Sequence, residues 1–150
     1  MACPFFEPVR PVSNKTHPRA RLPLIQEFEG LCHATAETAR TPASSLFVGC
    51  NHGHQHSRCE RFPAGHESSR MRYSVVGHSA SILDVLVIEE IDYAPVNWLR
   101  MQYSIESRTI EPAPADVCVR AQTAAFCSSY LSLPSEVNDS TKSTQPGGSS

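Results

Sequence analysis

Cys3, Cys32, Cys50 and Cys59 are the residues of this sequence best suited to do chemistry. They are separated by 28, 17 and 8 residues, and the last two bracket the segment Asn51-His-Gly-His-Gln-His-Ser-Arg. In a reducing compartment, cysteines gathered in this way are more often metal ligands or reactive thiols than disulfides. Four thiolates suit zinc or an iron-sulfur cluster, because soft sulfur donors select those metals. The short Cys-x-x-Cys knuckles of zinc fingers do not occur, whereas single cysteines on separate loops are compatible with a cluster. Phe5 and Phe6 after Cys3, and Phe62 and Pro63 after Cys59, could cover either kind of site. His33, next to Cys32, is the substitute ligand if one cysteine stands outside.

Other constellations carry less. His52, His54 and His56 alternate, so extended backbone would put all three on one side to chelate zinc, nickel or copper. A solvated histidine-rich loop is the expected reading of them. Val75-Val-Gly-His-Ser-Ala-Ser resembles the nucleophile elbow of α/β-hydrolases, but Ser81 replaces its second glycine and strand follows where a helix is required. A hairpin turn is the expected role of Ser79. Glu89 and Glu90 are adjacent on a strand, point to opposite faces and form no acid-base pair, so a solvated strand end is expected. Trp98 and Tyr103 differ in parity, which places them on opposite faces with at least one in the core. Cys118 and Cys127 lie nine residues apart on an expected helix, about half a turn out of phase, and are not expected to share a site. Asn14 and Asn138 match the glycosylation pattern, which has no meaning without a secretory signal.

The elements that must position these residues divide the chain near Arg72. All but one of the seven histidines and four of the six cysteines lie on the N-terminal side, which carries nine Lys+Arg against six Asp+Glu. The remainder carries four against nine. Prolines at 4, 8, 11, 18 and 23 interrupt residues 1–70, because each removes a backbone donor and fixes φ, so this half is expected to be loop-rich. Short helices are expected around Pro23–Glu29 and after Thr41-Pro42. So little regular structure needs a tie, and a thiolate-bound metal would supply one.

In 71–106, Met71, Tyr73 and Val75 alternate with polar residues, as do Leu99, Met101, Tyr103 and Ile105. Ile82–Ile88 is apolar on both parities, as a central strand requires. Short connections make the three an antiparallel meander. Residues 114–132 have helical period with Val117, Ala121, Ala124 and Leu131 on one face, and 134–150 has the composition of a disordered tail.

The expected architecture is one α+β domain over 1–133: an irregular, cysteine-anchored N-terminal layer on a three-stranded antiparallel sheet, with one C-terminal helix. With 150 residues, a net charge of -2 and a start unlike a signal peptide, the chain reads as a cytoplasmic protein with no drive toward nucleic acid or membrane. The leading expectation for function is a metal- or iron-sulfur-binding protein with Cys3, Cys32, Cys50 and Cys59 as ligands, structural or electron-transferring rather than a hydrolytic metal enzyme. The alternative is a metal-free protein-interaction module whose cysteines are simply buried.

Overall fold

The computed structural model describes residues 2–13, 21–41, 46–52, 59–66 and 69–134. Period-two alternation becomes a four-stranded antiparallel sheet in the order β4-β5-β6-β7: β4 (Ser69–His78), β5 (Ile82–Ile91), β6 (Ala94–Ser104) and β7 (Ile110–Glu111). Tight turns set its register. Ser79 N–H and Oγ both reach the Ile82 carbonyl, closing β4 onto β5, so Ser79 is a hairpin residue as expected. Asp92 and Tyr93, at φ 50° and 65°, turn β5 into β6; two successive left-handed residues match the twist of a two-residue hairpin. Tyr73 lies opposite Val87, Val85 opposite Met101, and Leu83 opposite Tyr103. All six are buried and form the centre of the core. Trp98 is on the other face and 69% exposed while Tyr103 is 2% exposed, as their parity requires.

The N-terminal half departs in part from expectation. Loop predominates among its described residues, as expected, but β1 (Phe6–Pro11), β2 (Phe28–Cys32) and β3 (Ala39–Arg40) also form a second antiparallel sheet in the order β1-β2-β3. Pro8 and Pro11 are accommodated because β1 is an edge strand with a register shift between Pro8 and Arg10, the two settings in which a strand tolerates a missing donor. No helix forms over Pro23–Glu29. Ile25 takes a left-handed φ of 69°, Leu24 turns inward at 1% exposure, and Phe28 already begins β2. The meander also gains a fourth strand, β7, which pairs with β6 at Gln102 and Tyr103.

The C-terminal helix α1 (Val117–Leu131) begins at Asp116, whose Oδ1 accepts from the N–H groups of Cys118 at 2.8 Å and Val119 at 3.0 Å. It packs mainly on β1 and also touches β4. Its buried face is Cys118, Gln122, Thr123, Phe126, Cys127 and Ser129 rather than the Val117–Ala121–Ala124–Leu131 face. Gln122 explains the rotation: its Nε2 donates to the carbonyls of Cys3 and Phe6 at 2.8 and 2.6 Å, and its Oε1 accepts from Tyr73 at 3.0 Å. Phe126 stacks on Tyr73 at 5.8 Å. One polar side chain thus joins the helix, the edge of the N-terminal sheet and the core of the other sheet.

Glu90 is also displaced from its expected solvated setting: it is 7% exposed and forms an ion pair with Arg72 at 3.2 Å. No helix among the described residues is long and apolar enough to cross a membrane. His54 and His56, the helix start at Pro42, Asn14, Asn138 and the expected tail beyond Pro134 lie outside the described residues.

Candidate metal centre

Each of the four N-terminal cysteines arrives from a different segment. Cys3 precedes β1, where its carbonyl accepts from Phe6 N–H at 3.1 Å and its N–H donates to the Cys50 carbonyl at 2.9 Å. Cys32 ends β2 in register with Phe6. Cys50 lies in a wide helical turn, Leu46–Asn51, closed by the His52 N–H on the Phe47 carbonyl at 2.9 Å. Cys59 opens the 59–66 loop and accepts from Phe62 N–H at 3.1 Å.

Two anchors hold the less regular pair. Asn51 ties the Cys50 turn to β2 and to Leu46, with Nδ2 donating to the Phe28 and Leu46 carbonyls at 2.9 Å each. The Cys59 loop is held by Arg61, which donates to the Arg40 carbonyl at 3.0 Å, and by Phe62, whose ring meets Phe5 edge-on at 5.5 Å. His66 packs on Phe5 from another side.

These segments bring Cys3, Cys32, Cys50 and Cys59 to the wall of one cavity of about 20 Å³, together with Phe5, Phe6, Ala34, Thr41, Gly49 and Phe62. Its exposed wall is wholly apolar. Cys3, Cys32 and Cys50 are buried and Cys59 is half-buried, and all six cysteines of the chain are free thiols. Among the described residues, no group of three or more His, Cys, Asp or Glu side chains makes a ready-made metal-holding cluster. The four thiols therefore share a cavity without being drawn together around a centre.

Burial pushes the Cys3 and Cys50 thiols up to about 12, and the neighbouring cysteines add to it as like charges. A backbone hydrogen bond at Phe5 acts in the opposite direction on Cys3, as does the positive charge of Arg61 on Cys50. Both are protonated at neutral pH unless a cation offsets the desolvated negative charge. They are poor nucleophiles for the same reason, which disfavours a reactive-thiol role for these two cysteines.

His33 is not part of this cavity wall. Its Nε2 meets Glu7 Oε2 at 2.5 Å and its Nδ1 lies 3.4 Å from Thr38 Oγ1, so both ring nitrogens have other partners. Cys118 and Cys127 are buried in α1 and do not line the cavity. Asn51, Arg61 and Gly49 were not distinguishable as site residues from sequence, since each contributes through tertiary placement. Phe5, Phe6 and Phe62 carried the one usable signal, aromatic residues within three positions of a cysteine. No family model, curated protein or solved structure matches the chain.

Proposed function

We propose that Cys3, Cys32, Cys50 and Cys59 bind a thiophilic metal, as an ion or an iron-sulfur cluster, in a structural or electron-transfer role. The observation that carries this reading is the convergence of four cysteines, from four separate segments, on one apolar cavity. A metal there would join the start of β1, the end of β2, the helical turn and the 59–66 loop. Four thiolates leave no coordination position for substrate, which points away from metal-assisted hydrolysis.

Chelation tests the reading through stability. Structural zinc supplies on the order of 10 kcal/mol in small peptides, and in a chain of this size each kcal/mol moves Tm by roughly 2–4 °C. Removing the metal with a strong chelator under reducing conditions should lower Tm by 10 °C or more, and restoring the metal should recover it. An unchanged Tm in a protein carrying no metal would leave the alternative.

That alternative, a metal-free protein-interaction module, is favoured by a separate feature. β7 pairs with Gln102 and Tyr103, so among the described residues β6 from Ala94 to Met101 has no strand paired on its outer edge. Val96, Trp98 and Leu99 are exposed along it. Exposed edges with apolar side chains accept added strands.

A further inference from the structure

Resting on the open β6 edge of the alternative reading, we infer that its occupant is a second copy of this chain, bound by antiparallel pairing of β6 with β6 about Leu99. β6 shares no residue with the cysteine cavity, so this association is independent of any metal there. Exposed apolar surface is concentrated at this edge. Ile91, Tyr93, Val96, Trp98 and Leu99 are five of the eight large apolar side chains exposed among the described residues. They fall within nine consecutive positions whose one charged residue is Asp92, in the turn before β6. Apolar exposure of this kind marks an interaction surface.

The backbone defines what can be added. In an antiparallel sheet, alternate residues turn both backbone groups to the same side. Ser104 turns both outward: its N–H donates to the Thr109 carbonyl at 2.9 Å, and its carbonyl accepts from Arg108 N–H at 2.8 Å. Arg100 and Trp98 share that parity with no register shift between, so they present their backbone groups on the open edge. Trp98 N–H is held there by Oδ1 of its neighbour Asn97 at 2.9 Å, a local bond that the carbonyl of an added strand can replace. Strand edges are ordinarily blunted by charge, proline or a bulge. Here Pro95 and a register shift guard the start of β6, and β7 covers it from Gln102, which leaves Asn97–Met101 bare.

This bare segment complements itself. A two-fold axis at Leu99 pairs Trp98 of each copy with Arg100 of the other, both with outward backbone groups, and sets the two leucines opposite one another at about 4.5 Å between Cα atoms. Trp98 and Arg100 lie on the same face of the sheet, so each indole meets a guanidinium across the pair. Each Arg100 is already matched by Asp84 of its own sheet at 3.2 Å, so two copies meet without unbalanced like charges. An edge with no free charge selects no oppositely charged partner, and its complement is a strand equally bare. The other edges of this chain do not qualify: β1 carries Pro8, Arg10 and Pro11, and the outer side of β4 is bridged by Ala2 at Met71. The two tryptophans bury on the order of 300 Å², and complexes below roughly 1,200 Å² are weak and transient. The dimer is therefore reversible and forms as concentration rises.

Trp98 is the only tryptophan of the chain, so its emission reports on this edge alone. Sedimentation velocity and tryptophan fluorescence are followed together on the reduced full chain over a dilution series. The expected result is a monomer–dimer equilibrium whose dimer fraction falls on dilution, in step with a red shift of the emission. Leu99→Lys, at an exposed position, puts like charges face to face at the two-fold axis and keeps the fluorophore; it should stay folded by circular dichroism and lose the dimer. A chain that is monomeric at every concentration, with Trp98 open to acrylamide quenching, would overturn self-association and leave the edge to a different strand. A dimer that folded Leu99→Lys retains would place the contact on another surface and overturn the inference. Emission already shielded from acrylamide in the monomer would show the edge covered within the chain and overturn the edge reading itself.

Discussion

The side-chain amide of Asn51 satisfies both backbone groups of Phe28: Phe28 N–H donates to Oδ1 at 2.8 Å, and Nδ2 donates to the Phe28 carbonyl at 2.9 Å. Asn51 is 1% exposed and directly follows Cys50. It therefore acts as a one-residue strand, fixing the cysteine's turn to the first residue of β2. Asn51→Ala removes three hydrogen bonds, two of them to the buried backbone groups of Phe28, and a buried group left unpaired costs about 1–3 kcal/mol. Urea unfolding should show a loss of about 3 kcal/mol or more, with weaker metal uptake. A loss below 1 kcal/mol would show that the Cys50 turn does not depend on this clamp.

Gln122 and Tyr73 should behave as a coupled pair. Tyr73→Phe removes a single donor to Gln122 Oε1 and should cost about 1 kcal/mol, whereas Gln122→Leu also removes the side-chain donor to the Cys3 and Phe6 carbonyls, of which Cys3 keeps Phe6 N–H, and should cost more. In a double-mutant cycle, Tyr73→Phe should cost little once Gln122 is gone. Full additivity would mean that the three contacts do not form one network.

Gly30 of β2 lies opposite Pro8 of β1. A Cβ there would overlap the Glu7 carbonyl oxygen and press the Phe6 ring at 2.6 Å. Gly30→Ala should destabilise the chain by about 1–3 kcal/mol through overpacking. It should also slow metal uptake, because Phe6 lines the cavity. Wild-type stability in this variant would show that the N-terminal sheet has more slack than its register implies.

How far the sequence carried the structure depended on whether its pattern was periodic. β4, β5 and β6 announce themselves because one face of each is apolar and its neighbours are in register through short turns. β1 and β2 do not. Pro8, Pro11 and Gly30 are residues that usually deny a strand, and they are tolerated here only because β1 is an edge and the two backbones meet closely. The helix was legible in extent but not in orientation, since its buried face joins the hydrogen-bonded Gln122 to Cys118, Phe126 and Cys127, a mixture that apolar periodicity does not single out. Grouping of four cysteines was visible in their types and in the aromatic residues beside them. That Asn51 and Arg61 hold two of them in place depends on contacts across 23 and 21 residues, which no local spacing encodes.

The pH dependence of the metal-free chain follows from its buried thiols. Burial pushes Cys3, Cys50, Cys118 and Cys127 from 9 up to about 12, and it raises Tyr73 as well. Groups whose folded pKa is raised contribute stability that is complete below their unfolded pKa and is lost as pH rises through the folded one. The chelated protein should therefore lose Tm progressively between about pH 9 and 12. With metal bound, acid should be the destabilising direction, because protons compete with the ion for sulfur. A chelated protein with constant Tm to pH 11 would contradict the burial of these thiols.

Metal content across a set of single cysteine variants tests the four-thiolate site most directly. The full chain and its Cys50→Ser, Cys59→Ser and Cys127→Ser variants would be purified without oxygen, confirmed as folded by circular dichroism, and assayed for bound metal. Wild type and Cys127→Ser should carry equal metal, since Cys127 is buried in α1 away from the cavity, while Cys50→Ser and Cys59→Ser should lose most of it. Metal retained in full by folded Cys50→Ser and Cys59→Ser would contradict the assignment.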